Sequence, residues 1–130
     1  MWRACSAVAW LVLSGCQPTF EATGALTVNG ESFTPAKCRA MSEATGIEVV
    51  TPSGGTVQLT LPPQTVKAFE TVRGDVTVTP GGDGPRPSSP CGTLELRGEG
   101  YHGGGRRAVS GKVSLRCEQA QGELTFSGCF

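Results

Sequence analysis

The stretch that decides the fold class is Lys112-Val-Ser-Leu-Arg-Cys117-Glu-Gln-Ala-Gln-Gly-Glu-Leu-Thr-Phe126, near the end of a chain of 130 residues. Apolar and polar residues alternate on both sides of a break at Gln121-Gly122, which is a turn signal. Because successive side chains of a strand point to opposite faces, this alternation gives one apolar row on a buried face and one polar row in water. The stretch therefore predicts two short, half-buried β-strands joined by a turn.

The same period of two residues recurs along most of the chain. The residues expected to face inward are Leu26, Val28, Ile47, Val49, Val57, Leu59, Leu61, Val76, Val78, Leu94, Leu96, Val113, Leu115, Cys117, Leu124 and Phe126. Those expected to face water are Thr27, Glu48, Gln58, Thr60, Thr77, Glu95, Ser114, Arg116 and Thr125. Turn signals separate the runs at residues 29–30, 52–55, 73–75, 98–105 and 121–122. The chain is therefore predicted to be all-β, a small antiparallel sandwich or barrel of about seven to nine short strands.

Two stretches also permit helical turns. Thr34-Pro35 offers an N-cap followed by Pro at the first helical position, and Gly46 offers a C-terminal stop. Val66, Phe69 and Val72 are spaced by three residues, which is compatible with one helical turn. Residues 80–90 contain four Pro and three Gly, so they are expected to form a long exposed loop within the domain.

The first sixteen residues form a separate segment with a different composition. Arg3 is followed by an apolar run from Ala4 to Leu13, which is too short to cross a hydrocarbon core of about 30 Å. The run ends in Leu13-Ser14-Gly15-Cys16, in which small residues precede a cysteine. This arrangement is typical of a cleaved export signal.

Leu13-Ser14-Gly15-Cys16 resembles the lipobox of bacterial lipoproteins at every position. In that family the cysteine receives a diacylglyceryl group and becomes the first residue of the mature chain. The resemblance implies that residues 1–15 are a signal peptide, that Cys16 is the lipidated residue and that the protein is held on a membrane. Two or more acyl chains give a lasting anchor where one does not.

The family also suggests which membrane carries the protein. In many Gram-negative lineages Asp after the lipidated cysteine retains the protein in the inner membrane, and here residue 17 is Gln. The resemblance therefore favours the outer membrane over the inner membrane. Residues 16–24 are expected to be a flexible tether, and residues 25–130 one β-domain, since a mature chain of this length has room for one core.

Charge and cysteine content narrow the functional classes. Only Arg3 of the eleven basic residues lies in the signal, so ten basic residues remain with eleven acidic ones, and no basic excess indicates nucleic acid. Four cysteines remain after Cys5 is removed and Cys16 is lipidated, an even number that predicts two disulfides in an exported domain. A metal site is not expected, because no two cysteines are closely paired and His102 is the single histidine.

A meander of the last three predicted strands, at about residues 93–97, 111–117 and 123–127, favours one pairing of these cysteines. It brings Cys91 beside Cys117 and carries Cys129 to the opposite end, where Cys38 remains as its partner. Direct bridging of Cys117 and Cys129 would have to span their own hairpin, whereas bridged Cα atoms lie within about 7 Å.

No catalytic motif stands out. The Gly-rich residues 98–105 lack the Lys-Ser/Thr of a phosphate-binding loop, and no Gly-x-Ser-x-Gly elbow is present. His102, with Glu99 and Ser110 nearby, is expected to be a solvent-exposed loop residue. The carboxylates considered as an acid pair, and expected to be solvated, are Glu48, Glu70, Glu95, Glu99 and Glu123.

The sequence therefore predicts a non-enzymatic, cofactor-free lipoprotein with a structural or binding role. Its expected partners are the membrane, through lipid on Cys16, and an envelope protein. A periplasmic inhibitor or chaperone-like module that uses residues 80–90 is the main alternative, and a small hydrolase that uses His102 is another. Arg106 and Arg107 are candidates for contact with anionic head groups.

Overall fold

A computed structural model of the chain describes residues 19–81, 90–103 and 106–130, and these residues form β-strands and no helix. The strands are β1 Glu21–Val28, β2 Glu31–Phe33, β3 Cys38–Ala40, β4 Thr45–Val50, β5 Thr56–Leu61, β6 Thr71–Asp75, β7 Thr77–Pro80, β8 Gly92–Gly103, β9 Arg106–Arg116 and β10 Ala120–Cys129. They form two antiparallel sheets, one of six strands in the order β2-β1-β10-β9-β8-β6 and one of four in the order β3-β4-β5-β7. The predicted all-β, disulfide-linked fold is confirmed.

The described part of the chain contains ten strands, more than the seven to nine expected. The additional strands are short: β2 and β3 contain three residues each, and β6 contains five. A run of three residues is too short to show a period of two, so these strands are recognisable only by their hydrogen-bonded neighbours.

The predicted inward-facing residues form the core between the two sheets. All sixteen are at most 5% exposed, and Leu26, Ile47, Leu59, Val76, Val78 and Leu94 are completely buried. The predicted polar rows are half-buried or exposed. Alternation in the sequence therefore assigned the two faces of the long strands correctly, because burying one face is what stabilises a strand in a sandwich.

Two of the predicted turns are wrong, because residues 73–75 lie within β6 and Gln121-Gly122 lies within β10. The turn expected at residues 98–105 is narrower than predicted, since β8 continues to Gly103 and pairs there with Arg106, the first residue of β9. Gly98 and Gly122 serve close approach to neighbouring segments instead. A Cβ on Gly122 would lie 2.3 Å from the carbonyl oxygen of Ala25. The turns at Asn29-Gly30 and at residues 52–55 are confirmed, and Asn29 and Gly30 have φ angles of 50° and 83°.

Neither of the helical turns that the sequence permits is formed. Residues 38–40 are strand β3, which pairs with β4, and Thr34 donates its hydroxyl hydrogen to the carbonyl oxygen of Gly24 instead of capping a helix. Residues 66–70 form an irregular segment beside β8, and Val72 belongs to β6. Pairing with a neighbouring strand prevails over the local helix signals because each segment contributes to a sheet edge.

The expected tether is shorter than residues 16–24. Strand β1 begins at Glu21, which lies opposite Ser127, so residues 21–24 belong to the six-stranded sheet. The alternation that marks β1 starts later because Thr23 and Gly24 are exposed. Residues 1–18 lie outside the described part. Residues 82–89 of the expected loop 80–90 also lie outside the described part. Pro80, the first residue of that expected loop, ends β7 opposite Val57.

The strand register defines two ends of the six-stranded sheet. At one end, Glu21 lies opposite Ser127, and Arg97 lies opposite both Ser110 and Thr71. We call this the entry end, because the described chain enters the sheet there. At the far end lie the turns that join β1 to β2 and β9 to β10. Gly92, the first residue of β8, and Cys91, which precedes it, also lie there.

Candidate functional site

The two disulfides lie at opposite ends of the sheet. Cys38 at the start of β3 is bonded to Cys129 at the end of β10, with Cα atoms 5.2 Å apart, and this bond joins the two sheets at the entry end. Cys91 and Cys117 are bonded at the far end, with Cα atoms 5.0 Å apart. This is the pairing that the meander predicts. The described residues hold no free cysteine for nucleophilic or metal chemistry.

Hydrogen bonds fix the backbone around the far-end disulfide. The Arg116 amide donates to the Cys91 carbonyl oxygen at 2.7 Å, and the Cys117 amide donates to the carbonyl oxygen of Ala120 at 2.8 Å. The Cys91 amide donates to the carbonyl oxygen of Val76 at 3.1 Å, where the chain passes from β6 to β7. Cys91 is therefore held in place at the point where the chain returns from residues 82–89.

Cys16 lies outside the described residues, so its lipidation stays a prediction. The expectation that His102 occupies a loop is wrong for its backbone, which lies in β8 opposite Arg107. The expected exposure of its side chain lies outside the described part. The pairing of β8 with β9 continues beyond Gly98, after a register shift between Gly98 and His102.

Two of the candidate carboxylates, Glu48 and Glu99, accept hydrogen bonds from neighbouring donors. Glu99 Oε2 accepts a hydrogen bond from the Gly128 amide at 3.0 Å, which links the end of β10 to β8 across the intervening strand β9. Glu48 accepts hydrogen bonds from Arg39 at 3.1 Å and Gln58 at 3.2 Å. These side chains lie on the polar faces of strands, as the sequence predicts for Glu48. Their arrangement is one of cross-strand support, and the structure does not bring Glu48 and Glu99 to one cleft.

The outer face of the six-stranded sheet forms a broad concavity with a volume of about 540 Å³. We call it the polar sheet face; its charged side chains are Arg73, Glu95, Lys112 and Glu123, and threonines and serines lie between them. The face extends from β1 to β6, because β10, β9 and β8 each contribute polar residues from their outward row.

Charges alternate across the strands of the polar sheet face. Arg73 on β6 donates its Nε hydrogen to Glu95 on β8 at 3.2 Å, and Lys112 on β9 lies opposite Glu95 in the register. The hydrogen bond from Arg73 lowers the pKa of the Glu95 carboxyl, and the charge of Lys112 acts in the same direction. Glu95 is therefore an anion near neutral pH, suited to pairing with cations rather than to delivering a proton.

A second depression, of about 550 Å³, lies at the entry end between the β3–β4 loop and the segment that joins β5 to β6. Leu61, Leu96 and Val109 form its apolar floor, and Glu43 and Arg107 stand on its rim. We call it the entry-end groove. Its floor residues are at most 5% exposed, so the groove offers little apolar surface to a ligand.

Hydrogen bonds hold the two walls of the entry-end groove. The Thr45 hydroxyl donates to the Gln64 carbonyl oxygen at 2.6 Å and accepts from the Gln64 amide at 2.9 Å. Arg39 pairs with Glu43 at 3.2 Å, and this hydrogen bond lowers the pKa of the Glu43 carboxyl to about 2. The β3–β4 loop is thereby fixed to strand β3 by a charge pair.

Phe69 is the surface residue that stands out at the entry end. Its side chain is 65% exposed, and it is the single large apolar side chain exposed among the described residues. Its φ angle is +63°, a left-handed conformation that is unusual for a bulky residue. Such strain persists only where the surroundings impose it, and it is concentrated at functional positions.

Strand β8 holds Phe69 in this conformation. The Phe69 amide donates to the Gly98 carbonyl oxygen at 2.6 Å, and the Gly98 amide donates to the Glu70 carbonyl oxygen at 3.0 Å. The ring lies over Gly100, where a Cβ would be 2.7 Å from Cζ of the ring. Arg97 donates to the Phe69 carbonyl oxygen at 3.1 Å, and its guanidinium carbon lies 6.0 Å from the ring centroid. Glycines in β8 thus make room for an exposed aromatic ring.

No pattern in the sequence marks Phe69 as a site residue. Its spacing with Val66 and Val72 suggested a helical turn, in which it would have been one of three equivalent apolar residues. The signal that the sequence offers is the position of Phe69 outside every alternating run. Its closeness to two glycines of β8 becomes visible only in the fold.

Comparison with protein-family models, with curated proteins and with solved structures found no match. Within residues 19–81, 90–103 and 106–130, no helix is long and apolar enough to cross a membrane. The same residues contain no group of three or more His, Cys, Asp or Glu side chains arranged to hold a metal ion.

Proposed function

We propose that this protein is an exported lipoprotein, anchored through lipid on Cys16, whose β-sandwich is a binding module with no catalytic role. The observation that carries the proposal is the pair of disulfides that closes both ends of a sandwich beginning five positions after Cys16. Stable disulfides are typical of compartments outside the cytoplasm. Together with the lipobox they favour a domain held close to a membrane surface. Gln17, in place of the Asp that retains lipoproteins in the inner membrane, favours the outer membrane.

Metabolic labelling with a fatty acid tests the anchor. Cys16→Ala should abolish labelling and leave the precursor uncleaved or released from the membrane fraction. Cys5→Ala is the matched control, because it removes a cysteine upstream of the expected cleavage site and should leave labelling unchanged. Labelling that survives in Cys16→Ala would refute the lipoprotein proposal.

The polar sheet face is the binding surface in this proposal. It is a concavity that the outward rows of several strands build together, and its Arg73, Glu95 and Lys112 side chains present alternating charges. Charges of this kind select partners and orient them more than they add affinity. A partner with a complementary pattern of charges, most simply a protein of the envelope, fits this surface.

Charge reversal tests the polar sheet face. Lys112→Glu should reduce capture of a specific envelope partner by the tethered protein, because it breaks the alternation next to Glu95. Lys37→Glu is the matched control, since Lys37 is exposed outside the polar sheet face. Equal capture by both variants would argue against this face as the binding surface.

A second candidate function is that of a periplasmic inhibitor or chaperone-like module that presents residues 82–89. The observation that favours it is that both flanks are held. The Gly81 amide donates to the Thr56 carbonyl oxygen at 2.7 Å, and Cys91 is disulfide-bonded. Deleting residues 83–88 should then abolish partner capture while leaving thermal unfolding nearly unchanged. Capture that survives the deletion would favour the polar sheet face instead.

A further inference from the structure

We infer that the entry end docks on the lipid surface and that Phe69 inserts there into the boundary between head groups and acyl chains. This inference rests on the proposed lipid anchor at Cys16. It adds an orientation: the entry end faces the membrane, and the far end with its disulfide points away from it.

The short connection to Cys16 limits how far the entry end can move from the membrane. Phe20 follows Cys16 by only four positions, and a fully extended chain of that length spans at most about 14 Å. The Phe20 side chain is partly buried and packs against the core. The preceding residue, Thr19, lies close to Gly128 of β10, since a Cβ on Gly128 would be 2.5 Å from the Thr19 carbonyl oxygen. The entry end therefore stays beside the lipid whenever Cys16 is anchored.

Phe69 lies at the same level of the sheet as Phe20. Glu21 is opposite Ser127, and the amide of the next residue, Gly128, donates a hydrogen bond to Glu99 of β8. Glu99 follows Gly98, whose carbonyl oxygen accepts from the Phe69 amide. Four strand spacings of about 4.8 Å separate β1 from the edge where Phe69 lies, or about 19 Å along the end of the sheet. The anchored chain and the exposed ring thus mark two separate points of one surface.

The neighbours of Phe69 suit a lipid surface better than a protein interface. An aromatic residue at the centre of a protein interface is surrounded by further apolar contacts that exclude water. Among the described side chains, Phe69 instead has Lys67, Arg97 and Glu70 beside it, all of which are exposed. Lys and Arg side chains can extend to phosphate groups while an aromatic ring between them enters the acyl boundary.

The mature chain provides a direct probe of this orientation. Trp2 and Trp10 both precede Cys16, so the processed protein has no tryptophan and Phe69→Trp introduces a single one. Glu118→Trp is the matched control, because Glu118 is exposed in the turn between β9 and β10 at the far end. The levels of Phe69 and Glu118 are about 24 Å apart, the length of strand β9 from Val109 to Arg116.

The experiment uses full-length, processed protein reconstituted in vesicles of phosphatidylethanolamine and phosphatidylglycerol, with and without acyl chains brominated near the head groups. Fatty-acid labelling of each preparation reports the anchor independently. The expected result is that Phe69→Trp emits at shorter wavelength and loses most of its intensity with brominated lipid, whereas Glu118→Trp is unaffected.

Two outcomes would overturn the docking while leaving the anchor standing. In the first, brominated lipid quenches both tryptophans of the labelled protein equally, or quenches neither while Phe69→Trp emits at the wavelength of an exposed tryptophan. In the second, Phe69→Trp emits at shorter wavelength but is not quenched, which would mean that protein covers this residue. Absence of labelling would refute the anchor and the docking together.

Discussion

The two ends of the sandwich are closed by different kinds of cross-link. At the entry end Cys38–Cys129 joins a strand of the four-stranded sheet to a strand of the six-stranded sheet, across 91 positions of sequence. At the far end Cys91–Cys117 joins the flanks of two neighbouring strands of one sheet, across 26 positions. The chain itself also passes between the sheets, at the buried Val76 near the far end and through residues 62–70 at the entry end. The entry-end disulfide is therefore the one that bonds one sheet to the other.

Removal of the entry-end disulfide is expected to have the largest effect. In the chain-entropy model a loop of 91 positions corresponds to about 4.6 kcal/mol of stabilisation and one of 26 positions to about 3.5 kcal/mol. The pair Cys38→Ala and Cys129→Ala should therefore lower the free energy of unfolding by more than the pair Cys91→Ala and Cys117→Ala. Urea denaturation of the two double variants measures the difference.

The opposite order would mean that the far-end disulfide holds more than one hairpin together. In that case the buried chain crossing at Val76 would not suffice to fix the sheets, and the contrast between the two ends would be reversed. Full reduction of the native protein should exceed the effect of either double variant.

Gly98→Ala tests how the Phe69 segment is attached at the entry end. A Cβ on Gly98 would lie 2.1 Å from the Lys67 carbonyl oxygen, so the segment must separate from β8. Loss of its two backbone hydrogen bonds should cost about 2 kcal/mol, measured by urea denaturation, and should accelerate hydrogen exchange at the Phe69 amide. Gly55→Ala is the control, because the atom nearest to its Cβ would be Thr51 Oγ1, 3.4 Å away. A similar loss in both variants would contradict this attachment.

Phe69→Asn should act in the opposite direction. Asn adopts the left-handed conformation more readily than Phe, and the ring of Phe69 is largely exposed, so relief of strain is expected to raise the free energy of unfolding by about 1 kcal/mol. Thermal or urea unfolding measures this gain. A loss of comparable size would show that the ring stabilises the domain through Gly100 and Arg97, and would weaken the case that it is retained for a surface role.

The smallest effect is expected from the Arg39–Glu43 pair. The folded state lowers the pKa of Glu43 from 4.5 to about 2, so the pair's contribution to stability is complete above pH 4.5 and is lost as the pH falls toward about 2. Glu43→Gln should remove this part of the acid dependence: above pH 4.5 the variant should be slightly less stable than the native protein, a small difference because the pair is exposed, and the two should converge as the pH falls toward about 2. Unfolding midpoints of both proteins across this pH range test the prediction. Parallel profiles would contradict it.

Much of the fold was predictable from local patterns. Every residue that the alternating runs assigned to the inward face is buried, because a strand in a sandwich must bury one row of side chains whatever its neighbours are. The cysteine pairing followed from the order of the last three strands, since an antiparallel meander brings Cys91 and Cys117 to the same end.

The sequence by itself therefore determined which rows are buried, the all-β class and the site at which the chain resembles a lipoprotein. Only the tertiary structure decided that residues 38–40 form a strand, that Gly98 and Gly122 serve close contact rather than turns, and that Phe69 is exposed at the end where the chain enters. These features depend on pairs of segments far apart in the chain. Their energies arise from hydrogen bonds and close contacts between strands, which no period within a single run records.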